Sequence, residues 1–246
     1  MLLNAKFLTL LLICLLFLTL AGGAEAALLT INREGRVIWK VLSETSNLAL
    51  SLPPKGDLKV KEAAKSNLGE GASVSLSKDS GRISLVVEEG QAQKNLDVTS
   101  WAGGIIEIEE RPEMEKLTIS ILSGKFGLEQ KGITATTEFP INIKSKKGEL
   151  SVSTPSGERL VLILPRLAVD TALRAKSISY LSGQDAVQLV ERGGELAYSI
   201  DGVKSLNFFN IFKHQVPVRP FISATTGEVL LIEEPVWLKA LGFIFS

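Results

Sequence analysis

The sequence predicts a mainly β protein, in which an antiparallel sandwich or stacked-hairpin β domain precedes a small α+β domain with a helix on an antiparallel sheet. Three observations lead to this fold class. Apolar and polar residues alternate over residues 28–164, as expected of strands with one buried face. Glycine-containing turns separate these runs at short spacing. The alternation changes to helical spacing at Pro165 and returns further along the chain.

The clearest hairpin lies early in the β-rich part. Ala72, Val74 and Leu76 alternate with serines, and the pattern resumes after a turn at residues 78–81. Two alternating runs joined by a short turn that ends in glycine predict a hairpin with one buried face. The same alternation predicts strands near residues 29–31, 37–41, 117–121, 141–143, 150–152 and 160–164.

Residues 165–176 are the one segment of the mature chain that we predict to be a helix. Pro165 suits the first helical position, and apolar residues recur at helical spacing. They are Ala168, Val169, Ala172, Leu173 and Ala175. The change of pattern places a domain boundary near Leu164. We therefore expect a signal segment at 1–26, a β-rich domain at 27–164, an α+β domain at 165–235 and an apolar tail at 236–246.

The first 26 residues have the three parts of a secretory signal peptide. Lys6 gives a basic start, residues 7–20 are fourteen mostly apolar residues, and Ala24-Glu25-Ala26 is a small-x-small cleavage site. A membrane-spanning helix needs roughly 20 residues, so we expect cleavage after Ala26, with an uncleaved anchor as the alternative. The sequence thus predicts a secreted or extracytoplasmic protein.

Composition excludes several classes of function. The chain has 27 basic and 27 acidic residues, and cleavage after residue 26 removes one of each. Such neutrality argues against nucleic acid as a partner, because phosphate binding needs a basic surface. Cys14 is the only cysteine and lies in the signal segment, and His214 is the only histidine. We therefore expect no thiolate or multi-histidine metal site and no cofactor.

The C-terminal tail is the first candidate for a contact surface. It is strongly apolar, follows Pro235 and carries one lysine. At this length it cannot span a bilayer as a helix, but it could lie in the membrane interface or bind a protein. Packing against its own domain is the alternative. The residues expected to make the contact are Trp237, Leu238, Lys239, Leu241, Phe243, Ile244 and Phe245.

An aromatic cluster is the second candidate. Phe208, Phe209 and Phe212 lie close to His214 in the sequence, and exposed aromatic side chains there would line a ligand groove. Core packing is the commoner role of such a cluster. A lone histidine without a thiol or a second imidazole is usually a surface or hydrogen-bonded residue.

Acidic residues offer weaker catalytic candidates. Asp170 and Asp201 resemble the paired aspartates of an aspartic peptidase, but one lies in the predicted helix and the other in an ordinary turn. A second group could support glycoside hydrolysis or calcium binding, although alternate carboxylates on a strand usually face solvent. Its members are Glu107, Glu109, Glu110, Glu113 and Glu115.

Residues 165–232 resemble the PepSY domain. The matching pieces are the alanine-rich helix at residues 168–173, a strand at residues 195–200 and a terminal hairpin at residues 222–229. An insertion at residues 203–217 departs from the pattern. PepSY modules are secreted or envelope-associated and are thought to inhibit or regulate peptidases. The resemblance implies a binding or regulatory role and brings no catalytic residue; an unrelated domain with the same order of elements is the alternative.

Together these observations predict an exported, non-catalytic binding or regulatory protein of the cell envelope, held near the membrane by its tail. The expected partner is a protein, another envelope component or the membrane surface. The alternative is a structural cell-surface protein that assembles through β edges. A hydrolase is the third and least favoured class.

Overall fold

The computed structural model describes residues 27–39, 71–101, 103–111, 115–183, 186–208 and 212–241, and the predicted signal segment lies outside these ranges. Within them the chain is mainly β, as predicted. The first strands are β1 (Leu29–Ile31), β2 (Val37–Trp39), β3 (Ser73–Asp79), β4 (Arg82–Glu89), β5 (Ala92–Asp97), β6 (Gly104–Ile108), β7 (Leu117–Leu122), β8 (Lys125–Gln130) and β9 (Ile133–Thr137).

The remaining elements include both helices of the described ranges. The strands are β10 (Ile141–Lys144), β11 (Glu149–Thr154), β12 (Gly157–Leu160), β13 (Tyr180–Leu181), β14 (Val187–Arg192), β15 (Glu195–Ile200), β16 (Gly202–Phe208), β17 (Phe212–Ser223) and β18 (Val229–Glu233). The helices are α1 (Pro165–Arg174), which precedes β13, and α2 (Val236–Leu241), which follows β18.

The smaller sheet has six antiparallel strands in the order β12-β11-β10-β3-β4-β5. It contains the hairpin that the alternation predicts: β3 and β4 pair from Ser73↔Glu88 to Asp79↔Arg82. Val74 and Leu76 of β3 are buried, whereas the serines between them are partly exposed. The period-two pattern therefore places the apolar face of this hairpin on the core.

The larger sheet has twelve strands and is mixed, so the expectation of purely antiparallel sheets is wrong. Its main path is β13-β16-β17-β15-β14-β9-β8-β7-β6-β1-β2, and β18 pairs with β17. Two pairs are parallel, β1 with β6 and β9 with β14. Parallel neighbours need long connections. Here the chain between the partners passes through strands of the smaller sheet, which supplies that length.

The larger sheet continues across the boundary predicted near Leu164. Strand β9 lies before that residue and β14 after it, and they pair at Val187↔Ala135 and Gln188↔Thr136. Helix α1 contacts strands from both sides of the boundary, namely β8, β9, β15 and β17. The described strands before and after residue 164 thus belong to one sheet, and strands from both groups contact helix α1.

The two sheets share one cluster of buried apolar residues. Polar contacts at one end also hold them together. Arg111 donates to the carbonyl oxygen of Asn32 at 2.9 Å and to that of Ser145 at 3.1 Å. A Cβ at Gly35 would lie 2.7 Å from the Ser145 oxygen, so only glycine lets the β1–β2 turn come this close to the β10–β11 turn.

Helix α1 begins at the predicted residue and has part of the predicted buried face, because Leu173 and Ala175 are exposed. Pro165 occupies its first turn, and Ala168, Val169 and Ala172 are buried. The residue before the helix, Leu164, has no side chain that could cap it. The cap comes instead from Gln130 of β8, whose amide oxygen accepts a hydrogen bond from the first-turn Arg166 N–H at 3.2 Å.

Candidate functional site

A long hairpin extends one end of the larger sheet. Its first arm is formed by β15 and β16, which follow one another along the chain and are interrupted only at Asp201. Its second arm is β17, a strand of twelve residues. The first half of β17 pairs with β16 and the second half with β15 and β18. The part formed by β16 and the first half of β17 corresponds to the predicted insertion at residues 203–217.

The short helix α2 is attached to this extension. Leu238 is only 3% exposed and belongs to the same buried cluster as Leu206, Val216 and Val218 of the hairpin. The ring centroid of Trp237 lies 5.9 Å from that of His214, with a tilt of 58° between the planes. The two segments therefore form one surface. We call residues 202–208, 212–218 and 236–241 the hairpin–helix lobe.

The lobe separates the predicted tail residues into core and surface groups. Leu238 contributes to the core, whereas Trp237 is 40% exposed and its neighbour Val236 is 82% exposed. Lys239 is exposed as well. Leu241 is the last residue of helix α2. Phe243, Ile244 and Phe245 lie outside the described residues.

The predicted aromatic groove falls at the closed end of the hairpin. Phe208 and Phe212 are directly paired across β16 and β17. Their side chains are not described, and Phe209 lies outside the described residues. The groove therefore remains a prediction. His214, two residues further along β17, is exposed and contacts Trp237 of the helix.

The charges of the lobe all have one sign. Its sequence contains Lys204, Lys213 and Lys239 and no aspartate or glutamate. This is a local departure from a chain whose total charge is zero. The lobe therefore combines exposed apolar side chains with unbalanced positive charge.

Three acidic residues border the lobe in the sequence. Asp201 and Glu233 are paired with arginines, and Glu234 lines the cleft beside them. Arg219 Nε donates to an Asp201 carboxylate oxygen at 2.5 Å, and Arg192 Nη1 donates to Glu233 at 2.6 Å. The hydrogen bond and charge of Asp201 raise the pKa of the Arg219 guanidinium above its ordinary value. These pairs line or flank a cleft of about 450 Å³ that also includes Ser182, Gly202, Pro217, Val218, Glu234 and Pro235.

A second cleft, of about 540 Å³, lies beside the first turn of α1. Leu162 is its most exposed apolar residue, at 60%. Gln130, buried beneath it, donates to Glu115 at 2.8 Å, and Lys131 Nζ contacts the same carboxylate at 2.7 Å. The polar groups of this cleft thus satisfy one another, and their main effect is to hold the start of the helix.

The weaker acidic candidates are mostly engaged in ion pairs. Asp170 pairs with Arg166 along α1 at 3.0 Å, separately from the pair made by Asp201. Glu107 contacts Lys116 at 3.3 Å. Glu109 and Glu110 follow β6, and Glu113 lies outside the described residues. Within the described ranges, no three histidine, cysteine or acidic side chains are grouped so that they could hold a metal ion.

Neither known protein families nor curated proteins nor solved structures give a match to this chain. The resemblance of residues 165–232 to PepSY domains therefore stays a prediction. Among the described helices, none has the length and apolar character needed to cross a membrane.

Proposed function

We propose that this protein is exported to the cell envelope and acts there as a non-catalytic binding or regulatory protein, using the hairpin–helix lobe as its contact surface. One observation carries the proposal. The contact between His214 and Trp237, together with the burial of Leu238, joins the two segments that composition singles out into one surface. Exposed apolar groups beside cations are suited to holding a partner.

The rest of the fold supports a binding role. Two sheets with a common apolar core are in keeping with a sandwich that serves as a rigid scaffold. Helix α1 over β15 and β17 is in keeping with the helix-on-sheet unit expected from the PepSY resemblance. Asp170 and Asp201 are each held by an arginine in separate places, an arrangement that serves structure rather than a shared proton.

Export can be tested on the product of the full gene. Expressing cells are fractionated, and the intact mass of the protein in each fraction is measured. The proposal predicts a product that begins at Ala27 in an extracytoplasmic or membrane fraction. An unprocessed product confined to the cytoplasmic fraction would contradict it.

The alternative, a structural protein that assembles through β edges, is favoured by one feature of the smaller sheet. Its end strands β5 and β12 each have a backbone partner on one side only among the described strands. Nearly all of their residues are exposed. Light scattering over a range of protein concentrations separates the two functions: growing oligomers favour assembly, and a constant monomer mass favours the binding protein.

A further inference from the structure

We propose that the partner of the hairpin–helix lobe is an anionic lipid surface, which the lobe contacts with Trp237, Val236, Lys239 and Lys204. This inference rests on the proposed function and names the partner of the same surface. It depends on three features of the described residues: the sign of the charge, the exposure of apolar side chains and their attachment to a folded sheet.

Charge complementarity is the first step. The lobe carries lysines and no acidic residue, although the whole chain has equal numbers of basic and acidic residues. At the base, Asp201 and Glu233 are paired with Arg219 and Arg192, so their charges are balanced locally. Glu234, which precedes α2, offsets one of the three lysines, and the lobe keeps a net positive charge. A positive surface of this kind is attracted to a negatively charged bilayer over about a Debye length.

Side-chain chemistry is the second step. Tryptophan and lysine are typical of the membrane–water interface, where an indole ring lies at headgroup level and an ammonium contacts phosphate. On helix α2 these two residue types flank the buried Leu238, with Trp237 40% exposed on one side and Lys239 exposed on the other. Val236, 82% exposed, adds apolar surface at the same end of the helix. An anionic bilayer matches both groups, because its headgroups carry negative charge and its interior is apolar.

The attachment of helix α2 to the folded sheet is the third feature. Leu238 is buried in the core and the Trp237 ring contacts His214 of β17, so the exposed side chains of α2 are presented by a folded surface. Lys204 lies on β16, opposite Val216 of β17, and therefore belongs to the same lobe. Because the contact residues belong to a preformed element, docking does not require the helix to fold on the membrane, which lowers its entropic cost.

The test uses the protein purified from expressing cells and vesicles of two compositions, phosphatidylcholine alone and equal parts of phosphatidylcholine and phosphatidylglycerol. A flotation assay measures the partition coefficient. We expect binding to the anionic vesicles, weaker binding to the neutral ones, and a decrease with added salt. A lysine near an anionic surface strengthens binding about fivefold, so Lys239→Glu should weaken it about 30-fold. Trp237→Ala should weaken it about tenfold.

Two matched variants lie outside the lobe. Lys146→Glu reverses an exposed lysine in the β10–β11 turn, and Leu162→Ala removes an exposed apolar side chain. Both should bind the vesicles as the unaltered protein does, and unchanged thermal melting verifies that all variants are folded. Equal losses in the lobe and control variants would overturn the inference. So would failure of the folded, unaltered protein to float with anionic vesicles. Such a failure would remove the lipid partner and leave the proposed export, which cell fractionation tests separately, unaffected.

Discussion

Replacing Leu238 with alanine tests how helix α2 is held. This leucine is 3% exposed and packs in the buried cluster that includes the hairpin residues Leu206 and Val216. Val236, two residues earlier in the same helix, is 82% exposed. Two alanine variants of the same short helix can therefore be compared. Leu238→Ala removes apolar atoms from the core, and Val236→Ala removes apolar atoms from the surface.

The expected magnitude follows from these exposures. Buried leucine-to-alanine changes destabilise by about 2–5 kcal/mol, and the value depends on how far the cavity collapses. Helix α2 is six residues long and can adjust its position, so we expect about 2–3 kcal/mol at Leu238. At Val236 the loss should be within about 0.5 kcal/mol, because the side chain is already in contact with water.

Hydrogen exchange is the appropriate assay, since it measures local opening of an element separately from unfolding of both sheets. The free energy of opening is measured for amides of α2, β16 and β17 in both variants and in the unaltered protein. Leu238→Ala should lower it in all three elements, and Val236→Ala should leave it unchanged. Equal protection in the two variants would refute the docked helix and favour a tail that is independent of the hairpin.

Three further predictions concern groups of the two sheets. Gln130→Ala should lower the free energy of unfolding by about 1–2 kcal/mol, because it removes the cap of α1 and leaves the first turn unsatisfied; urea denaturation measures the loss. Tyr198→Phe should cost about 1 kcal/mol, because the buried hydroxyl donates to a main-chain carbonyl at 2.8 Å, and the exposed Tyr180→Phe is the control. The Thr99 hydroxyl and N–H donate to Asp97 and hold the pKa of its carboxyl below the ordinary value of 3.8. The ionised carboxylate therefore stabilises the fold above pH 3.8, and this stabilisation is lost as the pH falls through the pKa of the folded state. Asp97→Asn should therefore be less stable than the unaltered protein near neutral pH and equally stable in acid below that pKa, as urea titrations at the two pH values would show.

The pattern of apolar, polar and turn residues along the chain was sufficient to predict much of the secondary structure. The β3–β4 hairpin could be predicted because alternation and a glycine-ending turn are properties of neighbouring residues. The start and buried face of α1 could be predicted for the same reason, from Pro165 and the alanine spacing. Its cap could not, because Gln130 is far away in the sequence and reads as an ordinary strand residue.

Pairing between distant strands could not be predicted. Alternation shows which face of a strand is buried but not which strand is its neighbour. The parallel pairs β1–β6 and β9–β14 and the continuity of the larger sheet past Leu164 depend on that choice. Their formation is determined by how the two sheets meet around the common core.

The candidate site was predictable as two separate segments. Composition singles out both the phenylalanine-rich hairpin and the apolar tail, and both contain lysine and no acidic residue. The contact between His214 and Trp237 was not predictable, since it depends on the hairpin register and on where the helix docks. The difference in exposure between Val236 and Leu238 depends on the same docking.

Fractionation of cells that produce the Trp237→Ala, Lys239→Glu double variant would test the central claim most directly. Both side chains are at the surface, so the double variant should fold and be exported as the unaltered protein is. We predict that the processed, unaltered protein is found with membranes and that the processed double variant is released from them. Equal membrane association of the two processed proteins, or an unaltered protein that is never found with membranes, would contradict the claim that the hairpin–helix lobe holds this protein to a lipid surface.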